Sequence, residues 1–230
     1  MASGNEVRCL GLIGGLGVGA TVHYYRELIA AHERQGRVPH LLMAHADIKR
    51  VYEILGTTKD LDGLARYLGG FAENMAAGGA EFVAIVAATP HICAPQLVKL
   101  SPIPLVGMLA EVAAVLHAKG LRRVALLGTR FTVESRMFGS LGDIEVVMPQ
   151  PAEIEQINAI YMDVVAGRGT PAQLDELRKL AQTFVARDGA EVVLIAGTDL
   201  SPVITEANAG FPMIDCAAIH IDAIMRRLTA

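Results

Sequence analysis

The residues of this chain that could do chemistry gather where apolar runs break. IVAATPHIC (85–93) ends through Ala87-Ala88-Thr89-Pro90-His91, and GAEVVLIAGTDLS (189–201) ends through Gly197-Thr198-Asp199. LLGTRFT (126–132) adds Thr129 and Thr132, and GGLGVGAT (14–21) adds Gly15. Threonine hydroxyls, backbone N–H groups and helix N-termini brought into one cleft suit a small carboxylate, with Thr89, Thr129, Thr132 and Thr198 as donors. His91 titrates near neutrality and could exchange a proton, and Asp199 could ionise or orient a neighbour. Each residue also has a plainer reading. Threonine or aspartate before a helix is often only an N-cap, and glycine only a turn. At the level of single residues both readings stand, and the convergence of several such turns is what favours a site.

Other chemistries are poorly served. GGLGVGAT does not keep the G-x-G-x-x-G spacing of a dinucleotide site, and there is no P-loop lysine, so no cofactor is expected. No His/Cys/Asp cluster has ligand spacing, so no metal is expected, and no serine or cysteine lies in a nucleophile elbow. Cys9, Cys93 and Cys216 form an odd set that suits reduced thiols in a cytosol, and each reads first as a small packed residue. A net charge of −4, from 20 Lys+Arg against 24 Asp+Glu, without a dense basic run, argues against nucleic acid. The longest apolar stretches are strand-length and end in Gly, Pro or Asp, so none is expected to span a membrane. MASGNEVRCLGLIGG lacks both a basic n-region and a sustained apolar run, so the expectation is a cytoplasmic protein without a secretion signal.

The turns can meet only if the elements before them are strands of parallel sheets. GGAEFVAIVAATP (78–90) resembles DGAEVVLIAGTDL (188–200), about 110 residues later. CLGLIGG (9–15) resembles VALLGTR (124–130), and IPLVGM (103–108) resembles FPMIDC (211–216). Three pairs in one order at nearly one offset mark two homologous halves. VHYYRELIAAHERQ, LDGLARYLGGFAENMAA, LDELRKLAQTFVAR and PAEIEQINAIYMDVVAG carry apolar residues at helical spacing. Short β-rich runs alternating with such helices predict an α/β fold of two pseudosymmetric lobes. Each lobe is a parallel sheet flanked by helices, with the ligand cleft between them at the carboxyl ends of the strands. The first lobe is expected over 1–103 and the second over 104–210.

Taken together, GLIGGLGVGATVHYY, LLGTRFT, INAIYMDVVAG, GAEVVLIAGTDLS and PMIDCAAIHIDA resemble the aspartate/glutamate racemase family, with its hydantoin-racemase and arylmalonate-decarboxylase relatives. The resemblance runs over nearly the whole chain. It implies two pseudo-twofold-related lobes with the substrate between them, a segment 211–230 that returns to the first lobe, and chemistry that needs no cofactor. In that family one thiolate removes the substrate α-proton and an opposed thiol returns one. The first cysteine stands in a Cys-Asn-Thr-x-His turn and the second in Gly-Cys-Thr-Glu. Laid on this chain, those cysteines fall at Ala87 and Gly197, and the asparagine at Ala88. Neither alanine nor glycine can change protonation state as a thiol can.

The resemblance carries further residues. Arg50 falls where aspartate-racemase relatives hold the side-chain carboxylate, a task suited to a guanidinium; as a lone surface charge it is equally unremarkable. The basic partner of the central helix falls at Val165, with Arg168 nearby. His91 matches a histidine that supports the first cysteine, and His220 one kept near the cleft, for which a bond to Asp199 is expected. Cys93 and Cys216 lie near the turns but are expected to pack. The expected function is a cofactor-independent enzyme of this family acting next to the carboxylate of an amino acid or small (di)carboxylic acid. His91 and Asp199 are the candidates for proton transfer. Gly15, Arg50, Thr89, Thr129, Thr132 and Thr198 are the candidates for binding. A lyase or decarboxylase, or an inactive carboxylate-binding homologue, is the alternative. The apolar helices would accommodate a homodimer, as in the family, or equally the lobes' own cores.

Overall fold

The structure is a computed structural model that describes residues 8–228. Its first sheet contains β1 (Leu10–Gly14), β2 (Leu41–His45), β3 (Phe82–Ile85) and β4 (Leu105–Val106). Its second contains β5 (Arg123–Leu127), β6 (Glu145–Val146), β7 (Val192–Ile195) and β8 (Met213–Asp215). The spatial orders are β2-β1-β3-β4 and β6-β5-β7-β8, and every pairing is parallel. The repeated sequence pairs therefore sit on equivalent strands: β1 with β5, β3 with β7 and β4 with β8. β1, β3 and β7 are buried at every position, as befits central strands covered by helices on both faces.

The helices follow their apolar spacing. In α1 (Val18–Arg34) Ala20, Tyr24, Leu28 and Ala31 turn inward. In α3 (Leu61–Ala77) it is Leu64, Leu68, Ala72 and Met75, and Asp60 caps the first turn by accepting from Gly63 N at 2.7 Å. In α7 (Pro151–Val165) it is Ile157, Ile160 and Tyr161. α8 (Pro171–Ala186) starts with a reciprocal capping box. Thr170 Oγ1 accepts from Gln173 N at 3.3 Å, and Gln173 Oε1 accepts from Thr170 N at 2.9 Å.

The short helices α2 (Ile48–Glu53), α4 (Ala94–Leu100), α5 (Met108–Ala118) and α6 (Arg130–Glu134) and the closing α9 (Cys216–Leu228) complete the layers. One apolar cluster runs through both halves, joining Leu10 and Phe82 of the first sheet to Val124 and Val192 of the second through Met108, Val112 and Ile224. Two further clusters lie on the outer faces, one with α3 and one with α7 and α8.

The strand pairing bears on the lobe boundaries. β4 lies just beyond residue 103, yet it bonds to β3 and is part of the first sheet. β8 lies within 211–230 and bonds to β7 in the second sheet, while α9 after it packs on α1 and α5. A strand's sheet is set by its hydrogen-bonded neighbour, which chain position alone does not reveal. Among the described residues no helix is long and apolar enough to cross a membrane.

Candidate functional site

The strand ends of the two sheets face each other, and three of the four threonines meet there. Thr129 is the N-cap of α6, its Oγ1 accepting from Thr132 N at 3.1 Å. Thr89, which opens a 3-10 turn after β3, brings its hydroxyl across to 3.3 Å from Thr129 Oγ1 and 3.4 Å from Thr132 Oγ1. Thr129 and Thr132 hydroxyls lie 2.9 Å apart. Each hydroxyl can donate or accept, so the trio can turn donors toward an anion. Thr198 is used differently: it donates to Val86 O at 3.3 Å and ties the two turns together.

The equivalent turn of the second half carries a carboxylate. Asp199 is only 3% exposed. Its Oδ1 accepts from Ala20 N at 3.0 Å, and its Oδ2 from the Tyr161 hydroxyl at 3.3 Å. Asp199 thus caps α1 from the other half of the molecule, filling a role that Gly17, the N-cap residue, has no side chain to fill. A Cβ on Gly17 would lie 2.1 Å from Asp199 Oδ2, so only glycine admits this cap. Burial raises the Asp199 carboxyl above its ordinary value, partly offset by the bonds from Ala20 and Tyr161. Burial, reinforced by the Asp199 charge, raises the Tyr161 phenol well above its own.

Ala87 and Gly197 both border a small inner cavity of about 20 Å³, room for about one water molecule. Leu16, Ile48, Val51 and Val165 supply its apolar wall, and Thr89, Thr129 and Tyr161 its polar groups. The Tyr161 ring takes the space beside Gly197: a Cβ there would stand 2.2 Å from Tyr161 Cε2. Tyr52, Thr89 and Thr129 border this cavity and also an outer one of about 400 Å³ that includes Leu55, Phe131 and Met162. The Tyr52 hydroxyl stands 3.9 Å from Met162 Sδ.

The two faces of the inner cavity differ in chemistry. On the Ala87 side stand Leu16, Ala88, Thr89 and Pro90, none of which ionises near neutrality. On the Gly197 side stands Tyr161, hydrogen-bonded to Asp199. Among the described residues no group of three or more His, Cys, Asp or Glu could hold a metal ion.

Other candidate residues lie elsewhere. His91 points away from the inner cavity and borders a second one of about 970 Å³ between α4, α5 and α9. Its Nδ1–H donates to Ala87 O at 2.8 Å, its Nε2 is buried without a partner, and burial lowers its pKa to about 4. His220 does not reach Asp199. Its Nε2–H donates to Val106 O at 2.9 Å and its Nδ1 accepts from the Tyr24 hydroxyl at 3.0 Å, with a pKa lowered by burial to about 3. Arg50 lies on the solvent side of α2, 59% exposed and paired with Glu53 at 3.3 Å. Gly15 N–H is already given to Thr21 Oγ1 at 3.0 Å. Arg168 pairs with Asp163 at 3.0 Å. Cys93 and Cys216 are fully buried. Burial pushes the Cys93 thiol up to about 12 and the Cys216 thiol well above its ordinary value.

Tyr161 is the functional candidate that reading the sequence did not bring out. Its place in the run Ile157-Ile160-Tyr161 reads as core, and the hydroxyl's partner lies 38 residues away in the chain.

Residues 13–224 match the family model described as Asp/Glu/hydantoin racemase. The fold is similar to that of an aspartate racemase homologue from Pyrococcus horikoshii, with a TM-score of 0.81 at 24% identity, covering 97% of this chain and 100% of that one. It is also similar to the aspartate racemase of Picrophilus torridus, with a TM-score of 0.75 at 20% identity, covering 95% and 94%. A third similarity is to the arylmalonate decarboxylase fold, with a TM-score of 0.54 at 16% identity, covering 96% and 92%.

Proposed function

Because the chain belongs to the Asp/Glu/hydantoin racemase family, we propose that it acts without a cofactor next to the carboxylate of an amino acid or small (di)carboxylic acid, transferring a proton from one face of the cleft only. The observation that carries this reading is the asymmetry of the inner cavity: Ala87, Ala88, Thr89 and Pro90 bring no acid or base to it, while Tyr161 beside Gly197 is bonded to buried Asp199. The carboxylate is held by the Thr89, Thr129 and Thr132 hydroxyls. The Cα–H bond beside the held carboxylate is broken by a relay: the Tyr161 oxygen takes the α-proton as its own O–H proton passes to the Asp199 carboxylate, the electron pair stays on the α-carbon, and the reverse transfer returns a proton to the same face. Such chemistry needs one positioned proton relay rather than two opposed bases. His91 positions the Ala87 carbonyl and does not transfer the proton.

The cytoplasmic setting and a homodimer belong to the same reading. Val18, Val22 and Tyr25 form an exposed apolar row on α1 that a second copy could cover. A second reading, a carboxylate-binding protein without turnover, draws on the Tyr161 ring filling the space beside Gly197.

Proton NMR in D₂O over a panel of amino acids and small carboxylic acids separates the two. New product peaks or α-proton exchange that are lost in Tyr161→Phe support the enzyme. Line broadening without chemical change supports the binder. Activity that survives Tyr161→Phe and Asp199→Asn together sinks the proposed proton route.

A further inference from the structure

We infer that the ligand of this cleft is a monocarboxylic acid with an uncharged apolar substituent, not a dicarboxylate. The inference rests on the carboxylate reading above and narrows it. Beyond the Thr89 and Thr129 hydroxyls and the Tyr52 and Tyr161 phenols, the inner wall is aliphatic, with Leu16, Ile48, Val51 and Val165, and no Lys, Arg or His is among the described residues bordering that cavity. The outer cavity has one cation, Arg130, which forms an ion pair with Glu155, and Glu134 stands beside it. The two cations that could have served a second carboxylate are turned elsewhere, Arg50 to Glu53 and Arg168 to Asp163.

Thr89 and Thr129 border both cavities, so a carboxylate on them would sit at the junction. Its substituent then enters either the aliphatic inner wall or the space lined by Leu55, Phe131 and Met162. A second carboxylate in either place would be desolvated without a counter-charge, which is heavily penalised. An alkyl or aryl group would be favoured there. The inner cavity admits such a group only when its walls shift, and Tyr52, which borders both spaces, is held at its hydroxyl by the 3.9 Å contact to Met162 Sδ, a weak acceptor.

Isothermal calorimetry on the full chain tests this with 3-methylbutanoate and phenylacetate against succinate and aspartate, and with 3-methylbutanamide as the neutral control. The acids with apolar substituents should bind at least about tenfold tighter than succinate or aspartate. Val165→Lys, which places a cation in the apolar wall, should bring that ratio toward one or reverse it. Should the variant fail to fold by circular dichroism, the wild-type ranking decides alone. Succinate or aspartate binding as tightly as the apolar acids overturns the inference and leaves the carboxylate reading standing. The amide binding as tightly as its acid overturns the carboxylate reading instead, and no binding by any member overturns both.

Discussion

The turn after β3 and the turn after β7 occupy equivalent places in two sheets of identical order, yet they carry different chemistry. After β3 the chain runs Ala87-Ala88-Thr89, small and hydroxyl groups around a space lined by Leu16 and Pro90. After β7 it runs Gly197-Thr198-Asp199, with the carboxylate buried against the N-terminus of α1 and the Tyr161 hydroxyl. Thr89 is the counterpart of Asp199, and each reaches the start of a helix in the other half: Thr89 approaches the cap of α6, Asp199 the first turn of α1. The backbone pseudosymmetry has been kept while the two turns have come to carry different side chains at matching positions, a hydroxyl at Thr89 and a carboxylate at Asp199. A duplicated fold therefore supplies two aligned positions, and what stands in them decides whether the cleft works from both faces or from one.

That comparison can be broken by rebuilding the missing symmetry. Ala87→Cys with Gly197→Cys alone should stay without racemase activity, because a Cβ at 197 meets Tyr161 Cε2 at 2.2 Å. Adding Tyr161→Ala removes the clash. The triple variant should then racemise a bound carbon acid about 10²–10⁴-fold above the uncatalysed background, which the parent and the double variant do not exceed, followed by polarimetry. Equal activity in the double and triple variants would show that Tyr161 is no obstacle.

The histidine beneath the first turn predicts a pH effect of the next size. Burial lowers His91 to about 4 from an ordinary 6.5. The neutral form is thus favoured in the folded state, and its contribution is fully present above pH 6.5 and lost as pH falls toward 4. Between pH 7.5 and 4.5 the stability read by denaturant titration should fall by about 2–4 kcal/mol through His91, with buried His220, lowered to about 3, adding a loss of similar size. The difference should shrink in His91→Gln, and an unchanged difference there would place the acid sensitivity elsewhere.

Crowding at the second turn comes next. Gly197→Ala should cost about 1–3 kcal/mol from the Tyr161 overlap, restored by pairing it with Tyr161→Ala less the cavity cost. Ala87→Gly, at the matching position of the first turn, should cost less, since no such overlap exists there. Asp199→Ala should lose about 1–2 kcal/mol with the α1 cap, and Asp199→Asn should keep most of it by retaining an oxygen for Ala20 N. The raised Asp199 pKa has its own sign: its contribution is fully present below its unfolded value near 3.8 and lost as pH rises through the folded one. Asp199→Asn should therefore flatten the stability profile on that limb. Smallest of all, Arg50→Ala should change melting by no more than about 0.5 kcal/mol and leave ligand affinity within experimental scatter.

Much of this was legible in the sequence because the repeat is visible there. The pairs GGAEFVAIVAATP with DGAEVVLIAGTDL and CLGLIGG with VALLGTR map onto β3 with β7 and β1 with β5. The convergence of Thr89, Thr129 and Thr132 followed from the rule that ligands lie off the ends of parallel strands. Thr198 and Gly15 were harder, since whether a donor is free depends on whether the backbone has already claimed it. Arg50 carried a signal that was there to use: Ile48, Val51, Tyr52 and Leu55 repeat at helical spacing and leave position 50 outward. The bond of His220 to Tyr24 rather than Asp199, and the Tyr161 ring beside Gly197, depend on contacts between distant segments that no local pattern encodes.

The most direct test of one-faced proton transfer is the stereochemistry of deuterium incorporation. A substrate or prochiral acid identified in the binding series would be turned over in D₂O, and the product resolved by chiral chromatography with mass detection. A single deuterated enantiomer, lost in Tyr161→Phe, is the predicted result. Equal amounts of both deuterated enantiomers would mean that protons reach both faces, and would contradict the account.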